Sequence, residues 1–390
     1  MTRFDAFLRW GRRCLKRWAA RVGGTVLSWM VLSRSSAQAG FLGGLVEAPD
    51  PFDPVHLRCW IESLGTSARI LLIRVDERVG NVLLTTPLLS ALSAAFPLAQ
   101  IDVLLARSKH TLVEGLANVR VFEKRDVFRR PGSFVGCLYA LRRRQYHVAI
   151  DASHWHQFSL THALLLGWTR ALVRIAHDRG DADRFATHLV GPRGEAGDPP
   201  MGEIARKLEL LGPLGTLGDP TSMTTSLGRL DADQREAERV LQDLGLSGAR
   251  IVGLMPGSRK LDHRAPFAVF EALVGVIHEL GACPLILWGP GEADLAASLA
   301  ARSGAVLAPA TDLRRLAAIV RRLAATVAND TGTMHLSVAC NTPTLALFVG
   351  GDPARWGHVF ARHEVIAADG RSDEAVVDEA RAALLRMLRP

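Results

Sequence analysis

The chain has 390 residues, of which 48% are hydrophobic and 22% charged, with a net charge of +8. That size and composition predict two domains with real cores and exclude disorder over most of the length. Five cysteines without a CxxC pair (Cys14, Cys59, Cys137, Cys283, Cys340) exclude a disulfide framework or a zinc ribbon and fit a reducing, cytoplasmic compartment.

The excess of basic residues predicts acidic partners, either phosphorylated substrates or an anionic membrane surface. No basic motif interleaved with aromatics accompanies it, so no nucleic acid is expected. Residues 1–67 form a first region, an extension and connector. Within 3–32, Phe4, Phe7, Leu8, Leu15, Trp18 and Val22 fall on one helical face, and Arg9, Arg12, Arg13, Lys16, Arg17 and Arg21 on the other. This pattern predicts a basic amphipathic helix lying on an anionic membrane, peripheral to the inner face. A helix docked on the protein's own body and a secretory signal ending near Ala37-Gln38-Ala39 stay open as alternatives. Residues 40–67, with Pro51 and Pro54, read as a connector holding at most one short helix.

Residues 68–228 are expected to form the first α/β domain. Arg69–Val75 is a buried strand, Asp76–Asn81 a turn, Val82–Phe96 a helix and Ile101–Ala106 a strand. This βαβ unit implies a parallel sheet whose ligands gather at the carboxyl edge of the strands. Further units follow: strand 119–122, helix 134–144, and strand 147–151 ending in Asp151. Beyond it stand Ser153, His154, His156, Gln157, Ser159, Thr161 and His162. His154 and His156 resemble a metal pair, but no further ligands stand at useful spacing, so no metal is expected.

Residues 229–390 are expected to form a second α/β domain. Its helix 231–244 begins with a capping box, Asp231 with Gln234. Strand 248–255 leads into Pro256-Gly257-Ser258-Arg259-Lys260, a turn able to offer amides and a hydroxyl to phosphate. Strand 284–288 opens on Gly289-Pro290-Gly291-Glu292, and strand 326–329 on Asp330-Thr331-Gly332-Thr333-Met334-His335. Helices at 267–280 and 313–323 and strands at 306–308 and 344–349 complete the pattern. Three polar turns after strands of one sheet agree on a nucleoside-diphosphate site.

These blocks resemble glycosyltransferase family 9, the ADP-heptose:lipopolysaccharide heptosyltransferases. They are Ile70–Pro87 with Gly80-Asn81 and Thr85-Thr86-Pro87, Gly253–Pro266, Asn329–His335 and Pro343–Gly350. The resemblance implies a GT-B fold, two Rossmann-like α/β domains facing across a cleft, with the acceptor on the first and the nucleotide sugar on the second. It implies an inverting, metal-independent transfer with no cofactor, in which a nucleotide sugar (ADP-heptose among the candidates) donates to a glycolipid or polysaccharide acceptor. By position, Gly257, Ser258, Arg259 and Lys260 fall to the phosphates, with Gly289 in the second turn and Glu292 at a ribose hydroxyl. Asp330, Thr331, Gly332 and His335 would surround the diphosphate and sugar.

Two departures mark a divergent member. The family's general base, an Asp after Gly, is Asn81 here, and an amide is no base; Asp76, Glu77 and Asp151 are the substitute carboxylates within reach. The family's Lys-x-Trp-Pro reads His263-Arg264-Ala265-Pro266, so Arg264, Lys260 or a protonated His263 supplies the missing cation. Besides an active transferase, a catalytically silent nucleotide-sugar- or partner-binding protein and a GT-B sugar-nucleotide epimerase stay open.

Overall fold

The computed structural model describes residues 53–76, 78–116, 119–124, 131–191 and 201–389. The basic helix expected at 3–32 lies outside them, as does Glu77. The first sheet holds β1 (Arg69–Arg74), β2 (Gln100–Ala106), β3 (Val119–Lys124), β4 (Val148–Asp151), β5 (Val173–His177) and β6 (His188–Val190), rich in branched apolar residues. They pair in parallel in the order β3-β2-β1-β4-β5-β6. The second sheet holds β7 (Ile251–Met255), β8 (Cys283–Ile286), β9 (Val306–Leu307), β10 (Ala325–Asn329), β11 (Thr344–Phe348) and β12 (His363–Ala367). Its order, β12-β11-β10-β7-β8-β9, is the same topology read from the other edge. Strands buried on both faces need apolar residues at every position, and β7 and β10 are buried at all of theirs.

Strand order reverses between β1 and β4 and again between β7 and β10. Ligand crevices open at such points, beyond the carboxyl ends of the strands. The turns carrying Asp76–Asn81, Ser258–Lys260 and Asp330–His335 therefore leave their sheets at the two switch points.

Two local expectations are corrected, and the one short helix allowed in the connector is present. The helix expected over Val82–Phe96 is two helices, Val79–Leu83 and Thr86–Ala95. Pro87 has no amide to give the Leu83 carbonyl; Thr86 Oγ1 donates to it at 2.7 Å, and Thr85 Oγ1 donates to the Asn81 carbonyl at 2.9 Å. Helix Asp231–Asp243 has Leu230, not Asp231, at its N-cap, and no side chain caps it. Gln234 instead donates to the Gly228 carbonyl. Finally, helix Pro54–Ser63 in the expected connector, capped by Asp53, buries Leu57 and Ile61 in the first domain's core. Helix Leu160–Thr169 and strands β5, β6 and β12 had no expectation of their own.

Among the described residues the chain crosses between the domains once. The crossing is held from both sides. Thr225 Oγ1 donates to the Leu112 carbonyl at 2.8 Å and the Thr224 amide to Thr86 Oγ1 at 3.0 Å. From the second domain, Arg321 donates to the carbonyls of Leu227 (3.0 Å) and Thr225 (3.1 Å). Gly228, at φ +67°, runs so close to helix Leu313–Val320 that a Cβ would lie 2.5 Å from the Ala318 nitrogen. Of the described cysteines, Cys59, Cys283 and Cys340 are free thiols. No described helix is long and apolar enough to cross a membrane.

Asp102 on β2 is fully buried and accepts from Arg144 Nε at 3.0 Å and the Tyr146 hydroxyl at 2.8 Å. Removing one partner of a buried ion pair strands the other charge. Asp102→Ala is expected to destabilise the first domain by ~3–5 kcal/mol, read as a lowered denaturation midpoint; an unchanged midpoint would show the pair to be inert.

Candidate active site

The domains meet where helix Val79–Leu83 lies against helix Gly332–Ala339. A Cβ on Gly80 would stand 2.4 Å from His335 Cδ2, and one on Gly332 3.3 Å from Val79 Cβ. With the His335 ring this close, only glycine fits at residue 80 without displacing it.

Beside this contact is a cleft of 390 Å³ lined from both domains. The first contributes Arg78, Val79, Gly80 and Asn81. The second contributes Ser258, Arg259, Lys260 and His263 after β7, Asp330, Thr331, Gly332 and His335 after β10, and Trp356. A second cavity of 200 Å³ shares Val79, Arg259, Thr331 and Gly332 with it and runs back among Met255, Leu287, Trp288, Leu313 and Leu316. The two volumes suit a ligand with one polar and one flat apolar part.

Glu292 stands in the second cavity, its Oε2 accepting from the Gly289 amide at 2.8 Å. Its carboxylate lies over Gly257, where a Cβ would come within 2.0 Å of Glu292 Cδ. Asn329 ties the turns together: Oδ1 accepts from the Ala265 amide at 2.9 Å and Nδ2 donates to the Pro256 carbonyl at 2.9 Å.

In the larger cleft, His263 Nδ1 is 3.3 Å from Asp330 Oδ2, and His263 Nε2 is 3.3 Å from Lys260 Nζ. Burial raises the Asp330 carboxyl above its usual value, opposed by His263 and Lys260. Helix Gly332–Ala339 starts at this cleft with no side chain capping it, so its first amides and the positive end of its dipole face an incoming anion. His335 Nδ1 is 2.8 Å from His358 Nε2, so one ring donates and the other accepts. Burial pushes His335 down to about 4 and keeps it neutral at pH 7.

Across the cleft, Asn81 Nδ2 donates to Asp76 Oδ2 at 2.7 Å, and the Arg78 amide donates to Asp76 Oδ1 at 2.7 Å. Arg74 Nη2 reaches the same carboxylate at 3.5 Å. Burial favours the neutral acid, but Arg74, the Arg78 amide and Asn81 outweigh it and hold the group below its usual pKa. Asp76 is therefore an ionised carboxylate touching the residue at the family's base position.

Three expected site residues do not line either cavity. Asp76 stands one hydrogen bond behind Asn81. Asp151 is buried in the first domain, where it accepts from the Ser153 amide at 2.9 Å and Arg179 Nη2 at 3.1 Å. Arg264 turns away and donates to the Ser258 carbonyl at 2.9 Å, leaving Arg259 and Lys260 as the cleft cations after β7. His154 and His156 do acquire a third neighbour, Glu203, with ligand atoms within 4.8 Å of one another. Both His154 nitrogens are already engaged, Nδ1 with Glu203 at 2.7 Å and Nε2 with Arg74 at 3.0 Å. Arg355 and Lys207 pair with the same Glu203, so the cluster's chemistry opposes a cation. Sequence reading missed Arg74, Glu203, Lys207, Arg355 and Trp356. No motif marks Glu203, Arg355 or Trp356 in the sequence.

The model of glycosyltransferase family 9 (heptosyltransferase) matches residues 137–383. The chain is 26% identical over 294 residues to lipopolysaccharide heptosyltransferase 3 of Escherichia coli, covering 71% of this chain and 82% of that protein. In fold it is similar to the glycosyl transferase family 9 structure from Veillonella parvula (TM-score 0.67, 20% identity, 82% of this chain and 97% of that one). It is also similar to E. coli heptosyltransferase WaaC with ADP (TM-score 0.63, 19% identity, 81% and 99%). Paired parallel sheets with their switch points turned on one cleft are the GT-B arrangement, and the chain belongs to glycosyltransferase family 9, the heptosyltransferases.

Proposed function

We propose that the protein is an inverting transferase that moves a heptose from ADP-heptose to a lipopolysaccharide acceptor. The observation that carries this reading is the single cleft lined at once by the Asn81 turn of one sheet and by Ser258, Asp330 and His335 of the other. The E. coli relatives named for lipopolysaccharide heptosyl transfer support the donor and acceptor classes.

The smaller cavity takes the nucleoside. Its apolar walls at Leu287, Leu313 and Leu316 suit a base, and Glu292 accepts from a ribose hydroxyl. The diphosphate lies in the larger cleft against Lys260, Arg259 and the amides that open helix Gly332–Ala339. Asp330 holds His263 and accepts from the sugar. An anionic leaving group selects the tautomer in which His335 Nε2 carries the proton and His335 Nδ1 accepts from His358.

Asp76 acts as the base. It takes the proton from an acceptor hydroxyl as that oxygen forms its bond to the anomeric carbon and the bond to the diphosphate breaks. The charge left on ADP is met by groups already in place, so little reorganises during transfer. Asn81, unable to take a proton, orients Asp76 through its amide. It is also the feature favouring a silent nucleotide-sugar-binding protein, in which binding occurs without turnover.

Four results test this reading. Lys260→Ala is expected to weaken ADP binding by calorimetry by ~10–100-fold, the worth of one charged hydrogen bond; unchanged affinity would remove the phosphates from this cleft. Asp330→Ala should weaken ADP-heptose more than ADP, and equal losses would contradict its contact with the sugar. Asp76→Asn should lower kcat by ~10²–10⁴-fold with ADP affinity kept; full turnover would exclude Asp76 as the base. Asn81→Asp sets two carboxylates at hydrogen-bond distance, so one must hold a proton, and the acid limb of the rate profile should move to higher pH.

A further inference from the structure

Between the second domain and the candidate base runs a continuous chain of partly buried polar contacts. It begins on helix Pro353–Trp356, where Arg355 donates to Glu203 Oε2 of the first domain from Nε at 3.1 Å and Nη2 at 2.9 Å. Arg355 also donates to His156 Nδ1 at 2.6 Å. Its guanidinium lies 4.4 Å from the ring centre of Trp356 and 5.7 Å from that of Trp155. The Glu203 side chain is fully buried, and its Oε1 lies 2.7 Å from His154 Nδ1. His154 Nε2 meets Arg74 Nη2 at 3.0 Å, and Arg74 Nη2 reaches Asp76 Oδ2.

Donor chemistry fixes the direction of every link. Guanidinium has no acceptor, so His154 Nε2 must accept from Arg74, and Nδ1 must carry the proton given to Glu203. Burial and the neighbouring Arg74 and Lys207 hold His154 at about 4 against the pull of Glu203, so this neutral tautomer persists at pH 7. Lys207 Nζ, 3.5 Å from Glu203 and donating to the Ala152 carbonyl at 2.9 Å, completes the carboxylate's surroundings. Arg179 and Asp151 face Arg74 from the other side. The charged groups bearing on Asp76 are thus Arg74 directly, with Glu203, Lys207, Arg355, Arg179 and Asp151 behind it.

We propose that Arg355 is a positioning residue, an interdomain latch that closes on Glu203 and, through His154 and Arg74, holds Asp76 in its ionised, aimed state. This rests on the reading of Asp76 as the base. With the latch engaged, Glu203 is balanced by Arg355 and Lys207, and the field of Arg74 is left for Asp76. With Arg355 withdrawn, Glu203 draws on Arg74 through His154, and Asp76 is easier to protonate. Closure of the two domains and readiness of the base are then one event.

The test is the pH dependence of kcat for heptose transfer from ADP-heptose in the full-length protein, with ADP affinity by calorimetry and tryptophan emission on ADP addition read in parallel. Arg355→Ala is expected to keep ADP affinity within a few-fold, lower kcat by about 10²-fold as misplacement does, and move the acid limb to higher pH. Glu203→Gln, which frees Arg74 for Asp76, should move the limb to lower pH. Arg355→Lys, keeping the charge without the fork, should restore the limb's position while recovering only part of kcat. Opposed shifts from the two partners are something a merely structural pair does not produce. Limbs that stay in place in both Arg355→Ala and Glu203→Gln overturn the coupling, whatever happens to kcat. Should Asp76→Asn turn over normally, the base reading fails on its own. The latch is then judged by emission: a wild-type change on ADP addition in Arg355→Ala overturns it, and a lost change sustains it.

Discussion

Everything in the cleft depends on how closely helix Val79–Leu83 approaches helix Gly332–Ala339, with Gly80 set against the His335 ring. Helix Val79–Leu83 can lie on helix Gly332–Ala339 only because no Cβ stands at residue 80. That contact sets the Asn81 turn of the first sheet opposite the phosphate-ready helix start of the second. It also explains why the expected long helix must break at Leu84-Thr85. An unbroken helix would carry its first turn along the axis of its second, whereas the break, capped by Thr85 and Thr86 hydroxyls, lets the short piece turn over the end of β1.

Charge is arranged differently on the two sides. On the second domain the cations Arg259 and Lys260 are at the cleft surface. On the first domain Arg74 and Lys207 are buried, each at 1% exposure, and matched against Asp76 and Glu203. Burying such groups costs several kcal/mol unless each is paired and hydrogen-bonded. Burial pushes Lys207 down to about 7, with Arg74 adding to the fall and Glu203 resisting it. A surface patch would bind acidic ligands more cheaply, so the buried set fits a role in holding geometry.

Much of this was legible in the sequence, for identifiable reasons. Strands β1, β7 and β10 are buried on both faces, and their apolar runs announce it. The turns after them need Gly, Ser, Asp and Thr at fixed places, so Gly257-Ser258 and Asp330-Thr331-Gly332 stand out and converge in space. What stayed hidden depended on pairing at long range. Asp76 and Asp151 look alike as carboxylates near strand ends, and only packing reveals that Arg179 occupies one while Asn81 presents the other. Arg264 and His263 are neighbours in sequence, yet one turns back to the Ser258 carbonyl and the other faces the cleft. Glu203 sits on the short helix Glu203–Leu208, with no local pattern to mark its partners 49 and 152 residues away.

The single crossing of the chain at Thr224–Gly228, clasped by Thr86 and Leu112 on one side and Arg321 on the other, changes what the noncovalent contacts must achieve. A short tether converts association of the two halves into an intramolecular step, with an effective concentration on the order of millimolar. Contacts too weak to join free domains then suffice to keep them together for part of the time. The pose of the halves becomes a balance that a ligand tips by touching both, and the fastened crossing confines their relative travel to rotation about that one point.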